Sequence, residues 1–237
     1  MDKRLLIVFP HPDDETYGCG GTIPKEVAAG TEVTLLTLTH GEASSQGPKL
    51  GLTRAQMGEK RAAEMIALRD HFRLSELILL DFPDGRLAEL DPRLLEHAVH
   101  AAIENVRPQV IVSYPAHGIS GFIDHLVAHA VVKRCFVEAR ERPGGPRRFA
   151  MQTVDREIAE RASRSLRFDT DDDIDCAVDV REYLDAKRIA LDLQDSIRDV
   201  IASDNIRGVL MRPVEHYVFW GESFSPPLGG LFESLPD

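Results

Sequence analysis

His11-Pro12-Asp13-Asp14-Glu15 places an imidazole beside carboxylates within five residues, and that mixture is the material of a hydrolytic metal site. Such a site keeps three protein ligands and leaves a coordination position for water. His11 and Asp14 stand three apart on a turn that can aim both side chains inward. A third ligand is expected from another strand end on the same rim. Residues 110–114 read as that strand, and the segment after it closes on Phe122-Ile123-Asp124-His125, where His125 opens a helix. His11, Asp14 and His125 then form a two-histidine, one-carboxylate site suited to zinc or another divalent transition metal. Asp13 is left beside it as the candidate general base. The chemistry is attack of water on an amide or ester carbonyl. The plainer alternative is a His-Pro turn whose aspartate caps a helix, with no metal. Two such clusters, each after the C-terminal end of an apolar strand, favour the metal.

Those side chains need a frame. Residues 5–9 (Leu-Leu-Ile-Val-Phe) are continuously apolar, as in a strand buried on both faces. Pro12 biases His11 toward extended backbone. A helix is expected over 22–29, with Pro24 in its first turn and Gly30 as its stop. Further strands are expected at 32–39, 77–80 and 110–114, and helices at 54–68, 91–106 and 123–138. Residues 41–53 read as a loop that could close over the site. This alternation implies an α/β fold: a Rossmann-like, mostly parallel sheet with helices on both faces. Its ligands belong at the carboxyl ends of the strands. Past Pro143 the pattern is less regular, with strands expected at 148–154, 175–180 and 214–220 and one long helix at 181–201. We read residues 1–237 as a single domain, a βα core over 1–140 and a C-terminal extension over 141–237 that completes the site.

The formal net charge of −11 argues against sequence-independent nucleic-acid binding. Three scattered cysteines give neither a disulfide framework nor a thiolate zinc site. No signal peptide and no membrane-length apolar run are read, so a cytoplasmic protein is expected, with room for a homo-oligomer. Gly18-Cys-Gly-Gly21 lacks the third glycine of a dinucleotide fingerprint. Ser44, Ser45 and Ser120 lack a nucleophile-elbow context.

The chain resembles the LmbE-like, or PIG-L, zinc-dependent N-acetylglucosaminide deacetylases. The resemblance rests on His11-Pro-Asp-Asp-Glu15 with Gly18-Cys-Gly-Gly-Thr22, on Leu38-Thr-His-Gly-Glu-Ala43, on Arg61-Ala-Ala-Glu64, on Phe82-Pro-Asp-Gly-Arg-Leu87 and on Asp124-His125. It implies deacetylation of an N-acetylglucosamine-type sugar or conjugate, a small-molecule substrate, with neither nucleic acid nor membrane as partner. It implies His11, Asp14 and His125 as zinc ligands and Asp13 as base. Arg61 falls where the family contacts the polar substrate; its plain alternative is an ion pair with Glu64. Asp124 is expected to support a ligand by a hydrogen bond. Phe122 stands where many relatives carry a histidine that steadies the tetrahedral oxyanion. His117, on a glycine-flanked loop, is the first substitute considered, ahead of His129 and His216. Two rivals remain: an amidase acting on a larger conjugate, and a non-catalytic metal- or sugar-binding module. The retained Asp13 argues against the second.

Overall fold

The computed structural model describes residues 2–162, 165–203 and 206–235. In chain order the elements are β1 (Arg4–Phe9), α1 (Asp14–Cys19), α2 (Thr22–Ala28), β2 (Glu32–Thr39), α3 (Gln46–Lys49), α4 (Arg54–Phe72), β3 (Glu76–Phe82), α5 (Pro92–Val106), β4 (Val110–Ser113), α6 (Ile123–Arg140), β5 (Arg148–Thr153), α7 (Arg156–Arg161), β6 (Cys176–Asp179), α8 (Leu184–Leu193), α9 (Arg198–Ser203), α10 (Ile206–Leu210) and β7 (Val214–Phe219). The seven strands among the described residues share one sheet, ordered β3-β2-β1-β4-β5-β7-β6. The first five run parallel. β7 lies antiparallel between β5 and β6, so strands from the two halves of the sequence extend a single sheet.

The apolar run in β1 has a simple physical origin. Leu5 to Phe9 are each 0% exposed. Leu5, Ile7 and Phe9 enter one core, while Leu6 and Val8 enter the other, because successive side chains leave opposite faces of a strand. The first core takes Ile23, Met65, Leu68 and Ala190 from α2, α4 and α8. The second takes Leu95, Val99, Val132 and Phe136 from α5 and α6. Both faces of the sheet are thus covered by helices.

Caps set the helix ends. Thr53 and Gln56 form a reciprocal capping box at the start of α4, and Arg73 ends it in the left-handed region at φ 54°. That carries α4 four residues beyond the expected stop. The single helix expected over 181–201 is a correction. It breaks between α8 and α9, because side chains there bond inward instead of continuing the ladder. Gln194 Nε2 donates to Glu15 Oε1 at 3.0 Å and to Thr16 Oγ1 at 3.2 Å. The Ser196 amide and hydroxyl both donate to Glu64, at 2.8 and 2.6 Å.

A buried ion pair joins β7 to α8 and to the turn after α1. Lys187 Nζ meets Glu215 Oε1 at 2.6 Å, with both side chains 0% exposed. Glu215 also accepts from the backbone amides of Gly21 and Thr22, at 3.0 and 2.8 Å. Glu215→Gln is expected to destabilise the fold by about 3–5 kcal/mol, since it leaves the Lys187 ammonium buried without a counter-charge. Urea unfolding measures this; a midpoint unchanged from wild type would refute it.

Candidate active site

The order in which strands are added to the sheet reverses at β1: β2 lies on one side of it and β4 on the other. The crevice beyond the ends of those strands is the topological switch point, where open α/β sheets place ligands. The turn after β1 carries His11, Asp13 and Asp14 there, and the segment after β4 carries Tyr114 and then His125 at the start of α6. His11 Nδ1 lies 3.4 Å from Asp14 Oδ2 and 3.2 Å from His125 Nε2. Asp14 Oδ1 lies 3.5 Å from His125 Nε2. One donor atom from each of the three residues falls within 4.8 Å of the others, a set that could hold a metal ion.

The surroundings prepare these donors. His125 Nδ1 donates to the Gly118 carbonyl at 2.9 Å, which leaves the Nε2 lone pair facing the cluster. Gly118 sits at φ +63°, and a Cβ there would come within 2.9 Å of the His125 Cβ, so this close turn needs glycine. The Tyr114 hydroxyl donates to Asp14 Oδ1 at 2.6 Å, and its ring stacks on His125 at 4.0 Å. On the other side of His11, Nε2 lies 3.3 Å from Asp84 Oδ1 and 3.4 Å from Asp124 Oδ2. Those carboxylates are already fixed by backbone donors: Gly85 and Leu87 to Asp124, Ala43 to Asp84. Asp124 thus lies within reach of the His11 ring.

Asp84, from the Pro-Asp-Gly turn after β3, was missed as a site residue. The turn itself was visible in the sequence, but nothing local says which way its carboxylate faces. Burial opposes charge on His11, yet hydrogen bonds that its ring donates to Asp124, Asp14 and Asp84 outweigh it and raise its pKa well above the usual range. Burial likewise opposes charge on Asp14, but His125, His11 and Tyr114 hold that carboxyl down at about 2. The carboxylates around His11 thus create a local field that favours a cation, and Asp14 is held as an anion. A metal ion would take the place of the proton, since a ligating imidazole must be neutral.

Asp13 differs from its neighbour. Burial pushes its carboxyl up to about 7, against the opposing pull of Arg61. Its backbone sits at φ 121°, a rare conformation for a non-glycine residue. Arg61 helps to fix it there, donating from Nη2 to Asp13 Oδ2 at 2.8 Å and to the Pro12 carbonyl. Its Nη1 donates to the Gly41 carbonyl at 3.2 Å. A Cβ on Gly41 would fall 2.2 Å from that nitrogen, so glycine is what admits the guanidinium. Arg61 does not pair with Glu64, whose carboxylate holds Ser196 and Lys60 instead.

A cavity of about 570 Å³ opens over the cluster, lined by His11, Asp13, Asp14, His125 and Arg61. Ala43, Ser44 and Ser45 of the expected covering loop line it too, as do Gln152, Ile197, Leu210 and Arg212 of the C-terminal extension. Phe122 contributes its ring at the rim, edge-on to His125 at 5.5 Å. The expectation for His117 is corrected. It is not among the lining residues. Its Nδ1 accepts from the Ile119 amide at 3.1 Å and its Nε2 lies 3.1 Å from Asp169 Oδ2. The loop that brings it near turns its ring toward β5 and Asp169. His129 bonds the Tyr114 carbonyl and His216 lies against Asp155; neither lines the cavity.

The three cysteines are free and buried. No helix among the described residues is long and apolar enough to cross a membrane.

Residues 6–136 match the family model described as PIG-L, GlcNAc-PI de-N-acetylase. The chain is 30% identical to the 1D-myo-inositol 2-acetamido-2-deoxy-alpha-D-glucopyranoside deacetylase of Rhodococcus erythropolis, over 94% of this chain and 93% of that one. It is 37% identical to the enzyme of the same name from Geodermatophilus obscurus, but over only 56% of this chain and 52% of the relative. In fold it is similar to the 4-carboxy-2-hydroxymuconate hydratase of Pseudomonas putida KT2440, with a TM-score of 0.71 at 16% identity, covering 94% and 98% of the two chains. One architecture thus accommodates different named reactions, and function has to be argued from the site. By the family match and the near full-length relative together, the chain belongs to the PIG-L, GlcNAc-PI de-N-acetylase family.

Proposed function

We propose that the protein is a zinc-dependent deacetylase that hydrolyses an acetamide on an N-acetylglucosamine-type sugar or conjugate. The observation that carries this is the convergence of His11, Asp14 and His125 with Asp13 beside them, outside the donor set and held by Arg61. The relatives' names point to the same chemistry. His11, Asp14 and His125 are assigned to the metal, which when bound supplies Lewis-acid polarisation of a carbonyl and acidification of a water. Asp13 takes a proton from the attacking water on its carboxylate oxygen. It returns that proton to the nitrogen as the C–N bond breaks, giving acetate and a free amine. A base poised near neutral pH suits both transfers. Arg61 holds Asp13 in place, and Asp84 and Asp124 fix the His11 ring. A larger conjugate is the second reading, because the cavity continues past the donor cluster to an apolar wall at Ile197, Val200 and Leu210.

Turnover of N-acetylglucosamine and several of its conjugates, before and after chelation and zinc return, tests the proposal. Zinc-restored release of acetate is expected; no release from any acetamide would overturn it.

Phe122 sets a second test. A donor to the tetrahedral oxyanion is commonly worth about 10²–10³ in rate, and a phenyl ring cannot donate. Phe122→His is expected to raise kcat, and His117→Ala to change it by no more than a few-fold. A steep kcat loss in His117→Ala, with metal retained, would return that histidine to the chemistry.

A further inference from the structure

Arg212 lines the same cavity, yet nothing in the reaction described above uses it. It is 5% exposed. Among the described residues its side chain makes one hydrogen bond, a long one, from Nη2 to the Gly18 carbonyl at 3.3 Å, and its buried Nε meets no partner there. Among the described residues no carboxylate oxygen lies within 4.0 Å of the guanidinium, whereas the equally buried Arg148 has Glu222 at 2.7 Å. An arginine carries five N–H donors and a permanent charge. Burying it unpaired is costly, so the residue marks a place where something else completes the set.

The neighbouring groups do not neutralise it. The Arg212 charge acts on Glu215, but the oxygens of that carboxylate already take Lys187 Nζ and the amides of Gly21 and Thr22. That leaves one carboxylate to two cations. Burial keeps the Cys19 and Tyr217 side chains protonated, with both pKa values pushed up. The excess positive charge belongs to Arg212, a residue of the cavity wall. Its position relative to the reacting groups follows from α1. Gly18 stands four residues after Asp14 in that helix, a rise of about 6 Å. Arg212 is therefore about one helical turn along the wall from the metal donors. Val209 and Leu210, just before it, make that part of the wall apolar, and a low-dielectric wall strengthens any charge pairing beside it.

We propose that Arg212 is a specificity-determining residue that binds an oxyanion, a carboxylate or a phosphate, carried on the part of the substrate remote from the acetamide. This rests on the deacetylase reading for its context, but not for its test. A single anionic group on an otherwise compact substrate is compatible with the chain's overall negative charge, because the attraction is local and desolvated. A bidentate, charge-assisted pair is worth about 10- to 100-fold in affinity.

The test uses zinc-loaded full-length protein and three probes: N-acetylglucosamine, its 1-phosphate, and N-acetylmuramic acid, which bears a carboxylate. Binding is measured by calorimetry and turnover by acetate release, for wild type, Arg212→Met and Arg212→Lys. Wild type is expected to bind at least one anionic probe about tenfold or more tightly than the neutral sugar. Which of the two wins distinguishes phosphate from carboxylate. In Arg212→Met that ratio should collapse toward one, and Arg212→Lys, which keeps the charge, should retain part of it. Equal binding of all three probes by wild type, or a ratio that survives in a cooperatively folded Arg212→Met, would overturn the proposal. Should Arg212→Met fail to fold, Arg212→Lys decides, since loss of the planar fork alone should cut the ratio. Because binding is read apart from turnover, an Arg212-dependent preference without acetate release would sink only the deacetylase reading. Acetate release with no anion preference would sink only this one.

Discussion

Asp13→Asn is expected to keep its metal and lose most of its turnover. The substitution preserves size and shape, and the amide oxygen can still accept from Arg61, now at 2.8 Å from Oδ2. Asparagine also tolerates the unusual φ of 121° as well as aspartate does, so the turn should fold unchanged. What disappears is the ability to take and return a proton. General base catalysis typically contributes about 10²–10⁴-fold, and kcat should fall by that much. The paired control is Asp14→Asn. Asp14 faces both ring nitrogens of the donor cluster and is held as an anion at about 2, so its replacement should cost metal first and turnover as a consequence. Elemental analysis after dialysis, together with acetate release, separates the two. Metal loss in Asp13→Asn with retention in Asp14→Asn would mean that the carboxylates have exchanged roles.

Removing an imidazole should have the second large effect. The protein is expected to hold about one zinc-type ion per chain, and His125→Ala and His11→Ala should each release it, because a three-ligand site becomes a two-ligand one. The two variants differ in a checkable way. His125→Ala takes away one donor and the ring that stacks on Tyr114. His11→Ala also leaves Asp84 and Asp124 facing each other without the imidazole that now separates them, and should lower thermal stability more. Asp124→Asn, which only weakens the support of His11, is expected to cost a milder 10- to 100-fold in metal affinity. Full metal retention in both alanine variants would remove the ligand assignment.

The order of elements and the rim on which the site lies could be read from the sequence alone. A strand buried on both faces is apolar along its run, and residues 5–9 and 110–112 announced themselves in that way. Pro12 and the helix-opening segment before His125 then put the donor residues at strand ends, which is a local matter. The partners of those residues were decided by tertiary structure. Arg61 joins Asp13 across 48 positions and leaves Glu64, its neighbour one turn on, to bond Ser196. Asp84 reaches His11 only because β3, β2 and β1 lie side by side and end on one rim. His117 is close in sequence to the site yet turned toward Asp169, and Arg212 is remote in sequence yet in the cavity. Periodicity reports how one element is buried, and it carries no information about which charged group faces which. That depends on crossovers between strands and on the balance between desolvation and pairing, and both exist only once the chain has closed.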